Sequence, residues 1–436
     1  GLSGLITPSL DEMVHVAKEM QRQDFHIPVM IGGATTSKAH TAVKIEQNYK
    51  NNQVVHVTNA SRSVSVASNL LTKDAERHAK FIAEIKDDYE KTRIRFKDRA
   101  KAGRRVSLDK ARLNKTPVDF TSIKTPEKLG ITVFDTTDID FNEVQNYIDW
   151  TPFFQTWELA GAYPRILTDE VVGEEATRLF EDAKAMLATV IEESWLDAKA
   201  VVGLFPANQV NHDDVVIYTD ESRTEEVMTL NFLRNQNELN APGKYNQCLS
   251  DFVATKEQGN DYIGAFACAA GFGIDAIVAR YEADHDDYNS IMIKAVADRL
   301  AEATAEYLHE KVRKELWGYA PDESLTNEEL IKERYKGIRP APGYPACPDH
   351  TEKDKLWELL DVTKNTGMEI TESYAMLPTA AVSGWYFGNA ESNYVGVGKI
   401  GPDQVDSYAE RKGMTKDDAE RWLAPNLGYD PEDDRI

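Results

Sequence analysis

The sequence predicts an α/β, Rossmann-like (flavodoxin-like) parallel-sheet half-domain followed by an α+β domain with a mostly antiparallel sheet and long helices. Three observations carry this expectation. Residues 1–72 repeat one strand–helix rhythm three times, and strands alternating with helices at that spacing form parallel sheets. From about residue 126 apolar runs continue without that spacing, which favours an α+β arrangement. Asp287 to Trp317 then reads as the longest helix, its apolar stripe running through Ile291, Val296, Leu300, Ala303, Tyr307, Leu308 and Val312.

A chain of 436 residues is long enough for two or more domains, each with its own core. The boundaries read as 1–90, a charged linker over 91–125, and 126–436. A formal charge of −23 argues against nucleic acid or an anionic membrane as a partner. No apolar run reaches membrane-spanning length. Cys248, Cys268 and Cys347 are dispersed and odd in number, suggesting neither a disulfide framework nor a thiolate metal cluster. A cytoplasmic monomer is expected. Gly1 to Thr7 lacks an initiator Met, a charged region and an apolar core, so it is no signal peptide. It reads as the interior of a domain, and the chain as the C-terminal part of a longer polypeptide.

The elements follow in order. Leu5-Ile6 closes a short strand, and Ser9 caps a helix through Met13, Val16, Ala17 and Met20. Ile27 to Ile31 is a strand ending in Gly32-Gly33, followed by a helix from about Ser37 to Gln47. Gln53 to Val57 is the third strand and Ala60 to Leu71 the third helix. In parallel folds ligands sit at the carboxyl ends of strands. Those ends hold Ser3 and Thr7, then Gly32 to Thr36, then Asn59-Ala60-Ser61. Gly-Gly-Ala-Thr-Thr is neither a P-loop nor a dinucleotide fingerprint. It is either a tight turn or one wall of a slot for a long polar tail.

A helix through Ala75, Ala79, Ile82, Ile85 and Tyr89 leads into Lys91, Arg93, Arg95, Lys97, Arg99 and Lys101, the basic concentration of an acidic chain. It is a solvated face and linker, or a dock for an acidic partner. Beyond it, Leu129 to Phe134 reads as a strand and Asp140 to Ile148 as a capped helix running into Asp149-Trp150-Thr151-Pro152-Phe153-Phe154. Asp149 is either a helix-end carboxylate or a half-buried anion awaiting a cation. Val201 to Phe205 and Asp214 to Tyr218 read as strands joined by Pro206 and Asn208, with further apolar runs at Leu249 to Val253 and Tyr262 to Ala270. On the long helix, Asp298, Glu302, Glu306 and Glu310 form an acidic line that is solvated or faces a cation. His309-Glu310-Lys311-Val312-Arg313 has Arg where a zinc-protease helix needs its second His, so no metal site is expected. Glu352 to Leu360 is a helix. Ala380 to Phe387 and Tyr394 to Ile400 read as paired strands around Gly388-Asn389, and Leu423 to Tyr429 closes a final helix.

Gly337-Ile338-Arg339-Pro340-Ala341-Pro342-Gly343-Tyr344-Pro345-Ala346-Cys347-Pro348 can be neither helix nor central strand. It is a stiff loop that holds one guanidinium, Arg339, and one aromatic ring, Tyr344, in fixed places. It is either a structural corner or a ligand site, and a planar guanidinium fork suits a carboxylate or phosphate.

Arg339-Pro-Ala-Pro-Gly-Tyr-Pro345, followed by Cys347-Pro-Asp-His-Thr-Glu-Lys353, resembles the S-adenosylmethionine-binding loop of the cobalamin-dependent methionine synthase family. Asp149-Trp-Thr-Pro-Phe153 and the segments near Tyr386 and Tyr394 extend the resemblance, and Ser3-Gly-Leu5 with Gly32-Gly33 is similar to the second half of that family's cobalamin-binding domain. The resemblance implies a C-terminal part of that cobalamin domain followed by an S-adenosylmethionine-binding activation domain. It implies that Asp149, Arg339, Ala341, Tyr344, Tyr394 and Val395 meet S-adenosylmethionine. Ser3, Leu5, Thr7, Gly32, Gly33 and Ala60 would line the tail of cobalamin (methylcobalamin in the working enzyme). The family's Asp-x-His-x-x-Gly motif, whose His ligates cobalt, is absent from the sequence, so the cobalt-ligating His is expected upstream.

The implied activity is methyl transfer from methyltetrahydrofolate to homocysteine, this part using S-adenosylmethionine for reductive methylation of inactive cob(II)alamin. The homocysteine and folate modules, and any zinc, belong upstream; flavodoxin or another flavoprotein reductase would supply the electron. No Ser/His/Asp triad, paired-carboxylate site or P-loop appears, which suits cofactor-borne chemistry. Two other readings stay open: a regulatory module that senses S-adenosylmethionine, and a free-standing corrinoid-reactivation protein.

Overall fold

A computed structural model of the chain describes residues 1–4, 8–33, 35–58, 60–102, 105–239 and 241–431. They fall into two compact units: Gly1–Leu108 with Gln236–Lys244 and Gly398–Ile436, and Asp109–Asn235 with Tyr245–Val397.

The first unit holds a small parallel sheet. β1 (Leu2–Ser3), β2 (Val29–Gly32) and β3 (Val54–His56) pair in that order, with Ser3 opposite Gly32 and Ile31 opposite His56. Met13, Ala17, Val29, Ile31, Ile45, Tyr49 and Val54 form its core. The helix after β1 begins at Pro8 rather than being capped by Ser9; proline suits a first helical turn, where its missing N–H costs nothing. Ser37 accepts from the His40 N–H at 3.1 Å and starts the second helical stretch. A helix over Ala60–Leu70 follows the third strand. The basic run 91–101 continues the helix that begins at Ala75. It is the C-terminal part of one 28-residue helix, Ala75–Ala102; the helix expected to be longest runs Asp287–Lys311 and continues as a π-helical segment through Val312–Leu316, 30 residues in all. Strong helix formers and the Lys91–Asp87 pair at 2.6 Å carry the Ala75–Ala102 helix. In the same unit the helices Pro402–Lys412 and Lys416–Trp422 are tied down by Gln236, whose Oε1 accepts from the Gly401 N–H at 2.8 Å.

The second unit is built on an antiparallel sheet. Its strands are β4 (Gly130–Phe134), β5 (Asp197–Val210), β6 (Asp214–Tyr218), β7 (Glu226–Asn231), β8 (Asp261–Phe272) and, after the short hairpin of β9 (Glu369–Ile370) with β10 (Met376–Leu377), β11 (Ala381–Tyr386). The order is β11-β8-β5-β6-β7, with β4 also on β5. Pro206 and Asn208 do not end a strand as the sequence suggested; both lie inside β5. β4 pairs residues 200–204 and β6 pairs 207–210 of that strand, so Pro206 stands in the gap between two ladders, where a missing donor is tolerated. The turn comes later, at Asn211 and His212, both at positive φ.

β8 shows why these strands read as continuous apolar runs. Tyr262, Phe266, Cys268 and Ala270 face one core, with the helices Gly173–Glu192 and Asp287–Lys311. Ile263, Ala265, Ala267 and Ala269 face the other, with the Leu249–Phe252 turn and the helix Glu352–Leu360. A sheet covered on both faces loses the polar alternation. The segment 394–400 is not the partner of β11; it forms no strand, and β11 pairs β8 from Ala381↔Ala269 to Tyr386↔Gly264. Valines and glycines alternating over 394–398 imitate a strand, but the edge they would need is taken by the proline loop described below.

Lys353, 7% exposed, donates to the Tyr374 carbonyl at 2.9 Å, and burial holds its pKa down at about 8. A depressed lysine pKa means that the unfolded chain binds more protons between pH 8 and about 10.5, so folding stability from this group rises over that window. Lys353→Met is expected to erase that rise. Urea unfolding of both proteins at pH 7 and pH 10 reads the difference, up to about 3 kcal/mol; parallel pH profiles would remove the idea.

Candidate functional site

The proline loop is pinned along the free side of β11. Ile338 and Phe387 exchange N–H···O bonds at 3.1 and 3.0 Å, and the Trp385 N–H donates to the Pro340 carbonyl at 2.9 Å. The approach demands glycine: a Cβ on Gly384 would stand 2.7 Å from the Pro340 oxygen. Gly343, at φ +95°, turns the loop over the His350 ring, and its N–H donates to the Cys347 carbonyl at 2.7 Å. Backbone pairing therefore fixes both ends of the loop, leaving its middle facing outward.

Arg339 is the product of this geometry. Its backbone N–H donates to Tyr394 Oη at 3.0 Å. Its Nη1 donates to Glu306 Oε2 at 2.7 Å, lies 3.2 Å from His309 Nδ1 and 3.3 Å from Tyr335 Oη. Burial works against the charge, but the Glu306 carboxylate outweighs it and holds the guanidinium pKa well above its usual value. All the side-chain bonds go to Nη1, and the side chain keeps 19% of its surface exposed. The Nε–Nη2 edge is thus the one that can take a carboxylate in a two-point fork. Behind it, Arg313 is fully buried between Glu306 at 3.5 Å and Glu323 at 2.8 Å.

The acidic line on the long helix divides. Asp298 and Glu302 are exposed and Glu310 half-buried, whereas Glu306 is buried against Arg339. The cation it faces comes from the protein's own loop.

Tyr394 lies beside the loop, and the Val397 N–H donates to the Pro345 carbonyl at 2.8 Å, so 394–397 runs along it. Tyr344 is 63% exposed, its ring presented outward. The Ala341 carbonyl accepts from the Tyr344 N–H at 3.2 Å. Asp149 heads the Thr151–Thr156 helix, accepting from the Thr151 N–H at 2.9 Å; the helix-end bond is present, and the carboxylate is only half-buried. Tyr147, two residues earlier, packs edge-on against Tyr307 with ring centres 5.6 Å apart, beside Glu306 on the long helix. No hydrogen bond joins Asp149 to Arg339.

Residues 140–413 match the family described as vitamin B12 dependent methionine synthase, activation domain. The chain belongs to this family. A crystal structure of the MetH reactivation domain bound to AdoHcy is 56% identical to it, with a TM-score of 0.71, covering 75% of this chain and 99% of that one.

Within the activation domain, then, the structure gathers Arg339, Ala341, Tyr344, Tyr394 and Val395 on two adjoining segments and sets Asp149 on a third that packs on the same helix. Sequence reasoning missed His309, Tyr335 and Glu333 as neighbours of the arginine. Glu333 holds a strained φ of +54° and lies within electrostatic reach of Arg339. The one available signal was the His309–Arg313 spacing, read only as a failed zinc motif. Among the described residues no group of three or more His, Cys, Asp or Glu is placed to hold a metal, and no helix is long and apolar enough to cross a membrane.

In the N-terminal unit, Ser3, Gly32 and Gly33 stand at neighbouring strand ends. A Cβ on Gly33 would collide with the backbone of Gly4, and the Gly4 N–H donates to the Gly32 carbonyl at 3.0 Å. Thr36 Oγ1 lies 3.3 Å from His56 Nε2 at the end of β3. Leu5 and Thr7 lie outside the described residues, as does the side chain of Ala60.

Proposed function

We propose that the chain binds S-adenosylmethionine on the Arg339 loop and presents its methyl group for reductive reactivation of cobalamin within a methionine synthase. The observation that carries this reading is the buried guanidinium that keeps one edge open on a rigid loop. The 56% identical reactivation domain bound to AdoHcy supports it.

The amino-acid tail of the ligand offers a carboxylate to the Nε–Nη2 edge of Arg339 and an ammonium to Asp149. Tyr394 and the exposed ring of Tyr344 pack the adenosine, and the Ala341 N–H, which has no hydrogen-bond partner among the described residues, faces the adenine edge. A loop already fixed by proline and by bonds to β11 loses little entropy on binding. What the residues contribute is alignment: methyl leaves the sulfonium and a thioether, S-adenosylhomocysteine, remains. In-line transfer needs positioning more than an acid or base. Cobalamin would supply the nucleophilic cobalt, with one electron from an external donor. The polar tail of cobalamin would lie at the strand ends of Ser3, Gly32 and Gly33, where a parallel sheet presents its ligands.

For the donor, a flavodoxin or other acidic flavoprotein reductase remains the proposal. Arg93 is no free docking cation, because it is bound to Glu46 at 3.0 Å, Glu90 at 3.0 Å and the Ala42 carbonyl at 2.9 Å. Arg95 is exposed and better suited to the contact.

Calorimetric titration with S-adenosylhomocysteine tests the site. Asp149→Asn is expected to weaken binding by about 1–3 kcal/mol through loss of the ammonium contact. An unchanged affinity would leave Asp149 as a helix-end carboxylate alone. Transfer of labelled methyl to added reduced cobalamin separates a reactivation domain from a sensor.

A further inference from the structure

His309 is a costly residue to place where it stands. It is fully buried on the Asp287–Lys311 helix, and its Nε2 meets no hydrogen-bond partner among the described residues. Its ring stacks on Tyr386 of β11, with centres 5.1 Å apart and planes 18° from parallel, and meets Tyr335 edge-on at 4.8 Å. Those two rings fix its plane. They leave Nδ1 aimed at Arg339 Nη1, 3.2 Å away. Glu306, one helical turn earlier, takes the same Nη1 at 2.7 Å. With Nε2 unpartnered among the described residues, the ring's polar contact is the one made through Nδ1.

We propose that His309 is a positioning residue for ligand recognition: its Nδ1 lone pair, together with Glu306, holds Arg339 Nη1 so that the Nε–Nη2 edge faces outward for a carboxylate. The inference rests on the proposed function, which assigns that carboxylate to Arg339. Only a neutral imidazole can accept from a guanidinium, and its proton must then be on Nε2. The charged surroundings agree. Burial, with Arg313 on its own helix and Arg339 on the loop, holds the His309 pKa well below its usual value. Glu306 is engaged by both arginines, and the remaining neighbours, Tyr335 and Tyr386, have phenols that burial keeps protonated. Nη1 carries two hydrogens: Glu306 takes one, and His309 Nδ1, nearer than Tyr335 Oη at 3.3 Å, takes the other and so fixes the guanidinium plane.

The test compares two ligands, S-adenosylhomocysteine and its decarboxylated form, S-adenosyl-3-thiopropylamine, which keeps the ammonium and lacks only the carboxylate. Calorimetry gives the affinity ratio for wild type, His309→Phe and His309→Asn. Phenylalanine keeps the stack on Tyr386 without an acceptor; asparagine restores an acceptor. The expected result is a wild-type preference for the carboxylate ligand that falls about tenfold in His309→Phe and largely returns in His309→Asn. Equal weakening of both ligands in His309→Phe would mean a merely structural role and overturn the proposal. So would an unchanged ratio, while leaving the assignment of Arg339 intact. A wild-type protein that binds without preferring the carboxylate would instead overturn the Arg339 assignment, and this proposal with it. Should His309→Phe fail to fold, imidazole ¹⁵N spectra of the wild-type protein decide. The neutral Nε2–H tautomer is expected, and an Nδ1–H tautomer or an imidazolium would refute the role.

Discussion

Arg339→Ala is expected to abolish measurable binding of S-adenosylmethionine and S-adenosylhomocysteine while the domain stays folded. The loss follows from the fork: two charge-assisted hydrogen bonds to a carboxylate disappear together, an effect of about 3 kcal/mol or more, over a hundredfold in affinity. The fold survives because the loop is held by backbone bonds from Ile338, Pro340 and Gly343, none of which involves the guanidinium. Glu306 is not stranded either, since Arg313 remains 3.5 Å from its other oxygen. Arg339→Lys keeps a charge but not the fork, and is expected to fall between wild type and alanine. Titration calorimetry beside a thermal melt checks both halves. Full affinity in the alanine variant would contradict the site; a collapsed melt would contradict the claim that the arginine is held for the ligand rather than for the fold.

Removing Arg234 is expected to do the reverse, with a large loss of stability. Arg234 is fully buried and donates to Asp213 at 2.7 Å, to both oxygens of Asp251 at 2.7 and 2.8 Å, and to the Asn246 carbonyl at 2.8 Å. Asp251 also receives the Cys248 N–H at 3.1 Å, and Asp213 is shared with Arg112 at 2.8 Å. Arg234→Met strands two buried carboxylates that lose their main cation, a cost of about 3–5 kcal/mol. Urea unfolding measures it. Adding Asp251→Asn to that variant is expected to return part of the loss, because the stranded charge, rather than lost packing, carries most of the penalty. An Arg234→Met protein as stable as wild type would show the network to be dispensable.

These two arginines mark the limit of sequence reasoning. Arg339 stood out because proline and glycine crowd around it, and those residues have local backbone consequences readable in one dimension. Arg234 lies in a polar stretch, Arg234 to Asn240, with nothing to distinguish it; its partners come from residues 213 and 251, brought together by the β5–β6 turn and the Leu249–Phe252 turn. The same contrast holds for the strands. β2, β3, β4, β6 and β8 were legible as apolar runs. β5 was cut short at Pro206, because the tolerance for that proline depends on where β4 stops and β6 begins. The valine–glycine run over 394–398 had the composition of a strand without a neighbour to pair with.

What the sequence determined alone was local and compositional: the parallel βα rhythm of the first 72 residues, the long helix from Asp287, the stiff loop with its arginine, and through its motifs the family. Tertiary structure decided which groups meet. It turned Glu306 from one of a row of surface acids into the counter-ion of Arg339, and a failed zinc motif into an acceptor beside it. The physical reason is burial. Water screens an exposed carboxylate, whereas one enclosed against a guanidinium interacts strongly with it, and whether a side chain is enclosed is set by the elements that fold over it from elsewhere in the chain.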